Sequence, residues 1–141
     1  MSGIFSIVGS ALDAQNLRLS AVASNLANAD TAAAPGTQPY RAEEPVFEAA
    51  PVADEGGSDA GPQEMGVAVL GVTQSDAAPT RTYDPGSPYA DAQGYVTGSN
   101  VDRAQEMMNM IDSSNSYSAS VAVLQQATRI DQQMISSFQV S

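Results

Sequence analysis

FSIVGSALDAQNLRLSAVASNLANA, residues 5–29, places Phe5, Val8, Leu12, Gln15, Leu19, Val22, Leu26 and Ala29 at spacings of three and four. That is the a/d pattern of a heptad with one polar interruption, Gln15, and it predicts an amphipathic helix whose apolar stripe needs a partner. The helix is expected to end near Asn28, because Asp30 and Thr31 are weak helix formers and Pro35, Gly36 and Pro39 follow closely.

The other end of the chain carries a similar signal. Val101, Ala104, Met108 and Ile111 form one apolar face, continued after a polar stretch by Tyr117, Val121, Leu124, Ala127, Ile130, Met134 and Phe138. Asp102 is a natural N-cap for this helix, with Gln105 three residues on in capping-box position. Ser113, Ser114, Asn115, Ser116, Ser118 and Ser120 compete for backbone hydrogen bonds, so the helix is expected to bend or loosen there. Helices over 4–29 and 102–139 would span roughly 39 Å and 57 Å at about 1.5 Å per residue. A compact domain of this size has a radius of gyration of only about 14 Å, so the helices either break or project into an assembly.

Composition narrows the function classes. Aromatic residues make up 6 % of the chain and Trp is absent, which argues against a dense core and for one domain with extended arms. Sixteen acids against five Arg and no Lys give a net charge of −11, which repels phosphate backbones and anionic lipid, so nucleic acid is not an expected partner. Without His or Cys there is no imidazole catalysis, thiolate chemistry or disulfide, and the common zinc sites are excluded. Gly3, Ser6, Gly9, Ser10 and Asp13 break the apolar start, so no signal peptide is expected, and no apolar run approaches the roughly 18 residues of a membrane span.

Between the helices, Ala32 to Gly66 holds five Pro, few large apolar residues and the acids Glu43, Glu44, Glu48, Asp54, Glu55, Asp59 and Glu64. Only Tyr40, Val46 and Phe47 offer anchors, so the segment is expected to be a flexible acidic loop. Val67–Thr73 reads as a strand, with Arg81–Tyr83 as the second strand of a hairpin and Tyr95–Thr97 as a short third. Asp84-Pro85-Gly86-Ser87-Pro88 is turn sequence. Glu43 and Glu44 are the only adjacent carboxylates that invite a general acid/base reading, and they lack the apolar cleft that such work requires. Asp54, Asp59 and Glu64 lack the ligand spacing of a calcium loop, and Met107, Met108 and Met110 read as adaptable packing rather than a soft-metal site. No catalytic residue, metal or cofactor is expected. By residue type alone, Asn25 and Asn28 fit a fraying helix end.

The segments Ser10-Ala11-Leu12-Asp13-Ala14-Gln15 and Ala23-Ser24-Asn25-Leu26-Ala27-Asn28-Ala29-Asp30-Thr31 resemble the N-terminal signature of flagellar rod and hook proteins. Tyr40-Arg41-Ala42, Pro45-Val46-Phe47 and Gly66 to Val72 resemble the stretches that follow it. Tyr83 to Asp91, Gly94-Tyr95-Val96, Asn100-Val101-Asp102 and Glu106-Met107-Met108-Asn109-Met110-Ile111 resemble the C-type subunits of the proximal rod. Departures are Ser87 where the family has His, Ser99 where it has Pro, and Ser120 where it has Asn.

The resemblance implies a mainly α fold: terminal helices, 1–31 and 100–141, forming an antiparallel coiled coil, an acidic loop at 32–66 and a small β-hairpin region at 67–99. It implies a non-enzymatic structural subunit of the basal-body rod in the periplasmic space, exported by the flagellar type III apparatus. Expected partners are copies of itself, other rod proteins, and basal-body ring and hook-basal-body proteins, without membrane insertion. Leu19, Val22, Asn25, Leu26, Asn28, Val121, Leu124 and Ile130 are the expected subunit-interface residues. The rival from another class is a secreted helical adaptor or chaperone-like module using the same helices.

Overall fold

The computed structural model describes residues 2–52 and 65–139. In order they form α1 (Ser2–Asn28), β1 (Ala32–Ala33), β2 (Glu43–Pro51), β3 (Met65–Gln74), β4 (Arg81–Tyr83), β5 (Tyr95–Gly98) and α2 (Arg103–Gln139). The expectation of a mainly α coiled-coil fold is corrected: about half the described residues are helical, but nearly a quarter of them lie in strands of two antiparallel sheets. The terminal helices exist, and the β part between them is a substantial layer rather than a small hairpin.

The error lay chiefly in the acidic loop. Glu43–Pro51 pairs antiparallel with Met65–Gln74, from Glu43↔Gln74 to Pro51↔Met65, with an irregularity between Val46 and Phe47. In a two-stranded ribbon both strands are edges, which is where Pro45 and Pro51 are tolerated. Their presence, with three Glu, hid the strand. The acids Asp54, Glu55, Asp59 and Glu64 of the expected loop, including the calcium candidates, lie outside the described residues. Arg81–Tyr83 does not pair with Val67–Thr73. It joins Tyr95–Gly98 in a second sheet of order β1-β5-β4, in which Tyr83 faces Tyr95 and Ala32 faces Gly98.

Cross-strand partners share a face of a ribbon and successive residues alternate. Phe47, Ala49 and Pro51 therefore lie on one face with Val69, Val67 and Met65, and all six are exposed. The opposite face carries Ala50 and Gly66 and meets α1: Gly66 is buried, and a Cβ there would stand 2.7 Å from Ser10 Oγ. Ser10 Oγ also accepts the Val67 N–H at 3.1 Å.

The helices run antiparallel. Arg18 pairs with Asp112 at 3.2 Å, while Asn25, further along α1, reaches Glu106, earlier in α2, also at 3.2 Å. Carried along residue by residue, this register sets Ser2 beside Thr128 or Arg129, so about ten residues of α2 extend roughly 15 Å past the start of α1. Among the described residues the buried apolar side chains are Val8, Ala14, Ala21, Val22, Ala42 and Val101. Four of α1's residues are in this set and two of them are Ala, so backbones approach closely and the core is thin. It also encloses Gln15 Oε1 and Ser113 Oγ, both without a hydrogen-bond partner.

Asp102 caps α2 as expected, its Oδ1 accepting the Ala104 and Gln105 N–H groups at 2.9 and 3.2 Å. Gln105 does not reach back; its amide turns forward to Asn109 Oδ1. Through the serine-rich stretch the helix is uninterrupted, and Ser118 and Ser120 donate to the carbonyls of Ser114 and Ser116. Those hydroxyls spend their hydrogen bonds on the helix that they were expected to loosen.

Candidate functional site

Glu43 and Glu44 are adjacent on a strand, so their side chains leave on opposite faces and form no acid/base pair. Met107 and Met108 lie exposed on the outside of α2. The groove along α2 lined by Arg129, Gln132, Gln133 and Ser136 contains no carboxylate. Among the described residues no helix is long and apolar enough to cross a membrane.

The most organised electrostatic feature is the β4–β5 turn. Asp91 Oδ1 accepts the N–H groups of Gln93 and Tyr95, both at 2.9 Å, and Arg81 donates to Asp91 Oδ2 at 2.7 Å. The Tyr95 N–H foremost, then the Gln93 N–H and the Arg81 guanidinium, hold the Asp91 carboxyl below the usual carboxylate range, while desolvation pushes the other way. Arg81 also lies over the Tyr95 ring at 4.9 Å, and Tyr83 meets that ring edge-on at 5.3 Å. Gly94 closes the turn at φ +81°, a conformation that favours glycine. Every polar partner is internal to the turn, so the arrangement is structural.

A second polar cluster sits at the end of α1. Asn25 is only 2 % exposed. Its Nδ2 donates to Glu43 O at 2.9 Å and Glu106 Oε2 at 3.2 Å, and its Oδ1 accepts from Glu43 N at 2.7 Å and Tyr40 Oη at 3.1 Å. Ser24 Oγ lies 3.0 Å from the same phenol oxygen. Beside it, Asn100 Oδ1 accepts the Ala42 N–H at 2.7 Å while its Nδ2 donates to Ser75 O and Ala77 O. Ser99, 1 % exposed, donates its hydroxyl to Ala29 O at 2.7 Å and its N–H to Thr31 O. Arg103 pairs with Asp30 close by.

The residues expected at a subunit interface fall into three environments. Val22 and Asn25 are buried within the chain; Leu19, Leu26, Asn28, Val121 and Leu124 are half-buried; Ile130 is exposed. Asn28 turns its amide back onto Ser24 O at 2.9 Å. The structure places Asn25 in the polar cluster, buries Val22 one turn before it, and leaves Ile130 on the overhanging end of α2. Sequence reading named Tyr40 as an anchor but missed Ser99 and Asn100. The available signal was the run of polar residues at 99, 100 and 102 around Val101, which reads as part of the family resemblance and, at Asp102, as a helix cap.

Two stretches of the uncovered surface are apolar. The outward ribbon face has Phe47, Val67, Val69 and Met65, and the end of α2 exposes Ile130, Met134, Ile135 and Phe138, the last at 81 %. Contiguous exposed apolar surface of this kind marks contact with other molecules rather than chemistry on a small substrate.

Known proteins define the class. The family model described as Flagella basal body rod protein matches residues 6–34, and the one described as Flagellar basal body rod FlgEFG protein C-terminal matches residues 92–137. Both terminal helices thus carry the marks of flagellar rod proteins. Similar relatives are the flagellar basal-body rod protein FlgC of Escherichia coli O6:H1, 50 % identical over 123 residues, and that of Salmonella typhimurium, 47 % identical over 123 residues. In both cases the match covers 86 % of this chain and 85 % of the relative. The FlgC of Bacillus subtilis is 35 % identical over 127 residues, covering 84 % of this chain and 85 % of the relative. The chain belongs to the FlgC family of flagellar basal-body rod proteins. It is a structural subunit of the rod, and its family is not enzymatic.

Proposed function

We propose that this subunit occupies the proximal part of the rod, packs there against copies of itself and other rod proteins, and helps transmit torque from the motor toward hook and filament. The observation that carries this reading is the pair of uncovered apolar surfaces on two different elements of one molecule: the ribbon face and the overhang of α2 beyond the start of α1. Contacts between unlike surfaces that do not close into a ring build helical assemblies. Burial of such surface contributes about 25 cal/mol per Å², and many contacts in parallel make a stiff tube.

In this reading the helical unit, 1–31 with 100–141, forms the wall of the rod, and the strands between stand beside it. Leu19, Leu26, Asn28, Val121, Leu124 and Ile130 keep surface for neighbouring subunits, while Val22 and Asn25 serve the interface from inside by holding α1 in shape. The subunit reaches its place through the flagellar type III export apparatus, and its outward face meets ring or hook-basal-body components. Replacing Leu26 by Asp should abolish rod assembly and swimming while the protein is still made and exported. Intact flagella on such cells would overturn the reading and favour an adaptor role.

A further inference from the structure

We infer that Asn25 and Asn100 form a two-asparagine latch that sets the angle of the β2–β3 ribbon against the helical pair. The inference goes beyond the rod reading, because it rests on hydrogen bonds inside one chain.

The ribbon is rooted at Ala42 and Glu43 on one side and at Ser75 to Ala77 on the other, with the Ser75 N–H donating to Ala42 O at 2.8 Å. A carboxamide is a peptide group in miniature, with one carbonyl and one N–H₂. Asn25 uses it as a neighbouring strand would, taking the N–H of Glu43 at 2.7 Å and giving to the carbonyl of the same residue at 2.9 Å. Its remaining capacity goes to Tyr40 and Glu106, so all four of its hydrogen-bonding positions are filled. Asn100 takes the adjacent N–H, that of Ala42, and gives to the carbonyls of Ser75 and Ala77 across the root. Two consecutive backbone amides are thereby clamped by side chains from two different segments, one in α1 and one just before α2.

Apolar burial does not compete for this task. Around the root the buried apolar side chains are Ala42 and Val101, both small or medium. Apolar contact is non-directional, whereas hydrogen bonds impose distance and angle. The direction of the ribbon, and hence of its uncharged outer face, is set at its root by these two carboxamides, while Ser10 Oγ, accepting the Val67 N–H at 3.1 Å, holds its far end against α1. Glu106, which also accepts from Asn109 at 3.3 Å, extends the latch to α2. Asn25 is a positioning residue of the subunit itself.

The test uses the full chain labelled with ¹⁵N. In Asn25→Ala the Glu43 amide should exchange with solvent roughly tenfold faster while Ala42 keeps its protection, and in Asn100→Ala the two should trade places. Because the chain has no Cys, spin labels at Glu48→Cys and Ala119→Cys, both exposed positions, report the ribbon-to-helix distance alone. With the far end freed by Ser10→Ala, its distribution should be broader in either variant than in Ser10→Ala alone, with helical content unchanged. Equal protection and an equally narrow distribution in both variants would overturn the latch. If Asn25→Ala does not fold, Tyr40→Phe, which removes one bond to Asn25 Oδ1, decides the matter: faster Glu43 exchange supports the latch and unaltered exchange sinks it. These readouts concern the isolated subunit, so failure of the rod reading would leave them untouched.

Discussion

Removing the hydroxyl of Ser113 should make this protein more stable. Ser113 is 0 % exposed in the seam between the helices, and its Oγ has no hydrogen-bond partner. A buried polar group left unpaired costs about 1–3 kcal/mol, and Ala exceeds Ser in helix propensity by about 0.5 kcal/mol. Against this stands only the loss of one oxygen's packing, so Ser113→Ala should gain about 1–2 kcal/mol. Ser114→Ala, one residue on and exposed, isolates propensity and should gain only about 0.5 kcal/mol. Urea unfolding followed by circular dichroism reads both; with a slope of about 1.5 kcal/mol per M, the midpoint of Ser113→Ala should lie roughly 0.5 M above that of Ser114→Ala. Gln15→Met, which removes the other unpaired buried oxygen, should add a similar gain, with some coupling because both sit in the same seam. A Ser113→Ala midpoint at or below that of Ser114→Ala would mean that the hydroxyl is satisfied in solution and that the seam is not strained there.

Three other outcomes follow from the geometry. The Asp91 carboxyl is depressed in the folded chain, so its contribution is complete above the unfolded carboxylate's pKa and is lost as pH falls through the lower folded one; amide shifts of Gln93 and Tyr95 should stay constant near neutrality and move only in acid, and movement near neutral pH would contradict the assignment. Gly94→Ala forces a Cβ to 3.0 Å from Tyr83 Cε2 and 3.2 Å from Pro85 Cβ at positive φ, which should cost about 1–2 kcal/mol in urea unfolding. Phe138→Ser should leave the melting of the isolated subunit unchanged within about 0.5 kcal/mol, since the ring contacts little in the chain, yet reduce swimming; loss of subunit stability instead would show the ring buried in solution.

Much of the helical part was legible because periodicity is local. The stripe from Phe5 to Ala29 and the cap at Asp102 located α1 and α2 to within a few residues. The strand Glu43–Pro51 was not legible. Its acids and prolines are loop formers by composition, and only pairing with Met65–Gln74 on an open edge makes them acceptable in a ribbon. The same limit hid the second sheet: Arg81–Tyr83 looks like a strand, but its partner was chosen by the turn at Asp91 and Gly94 rather than by nearness to Val67–Thr73.

Asn25 shows the same division on the scale of one residue. Its place at the end of a helix follows from the chain, and the signature around it marks the family. Its task does not follow, because a carboxamide's partners are set by which backbone arrives within about 3 Å, and that backbone, Glu43, is eighteen residues away. Local pattern thus determined two amphipathic helices, an acidic chain without His, Cys or Lys and a relative among rod proteins. Tertiary structure alone decided that the middle of the chain is sheet, that the helices are offset so that α2 overhangs, and that a buried asparagine joins the two layers. Strand pairing, register and hydrogen-bond partnership are relations between distant segments, and their energies exist only once the chain has brought those segments together.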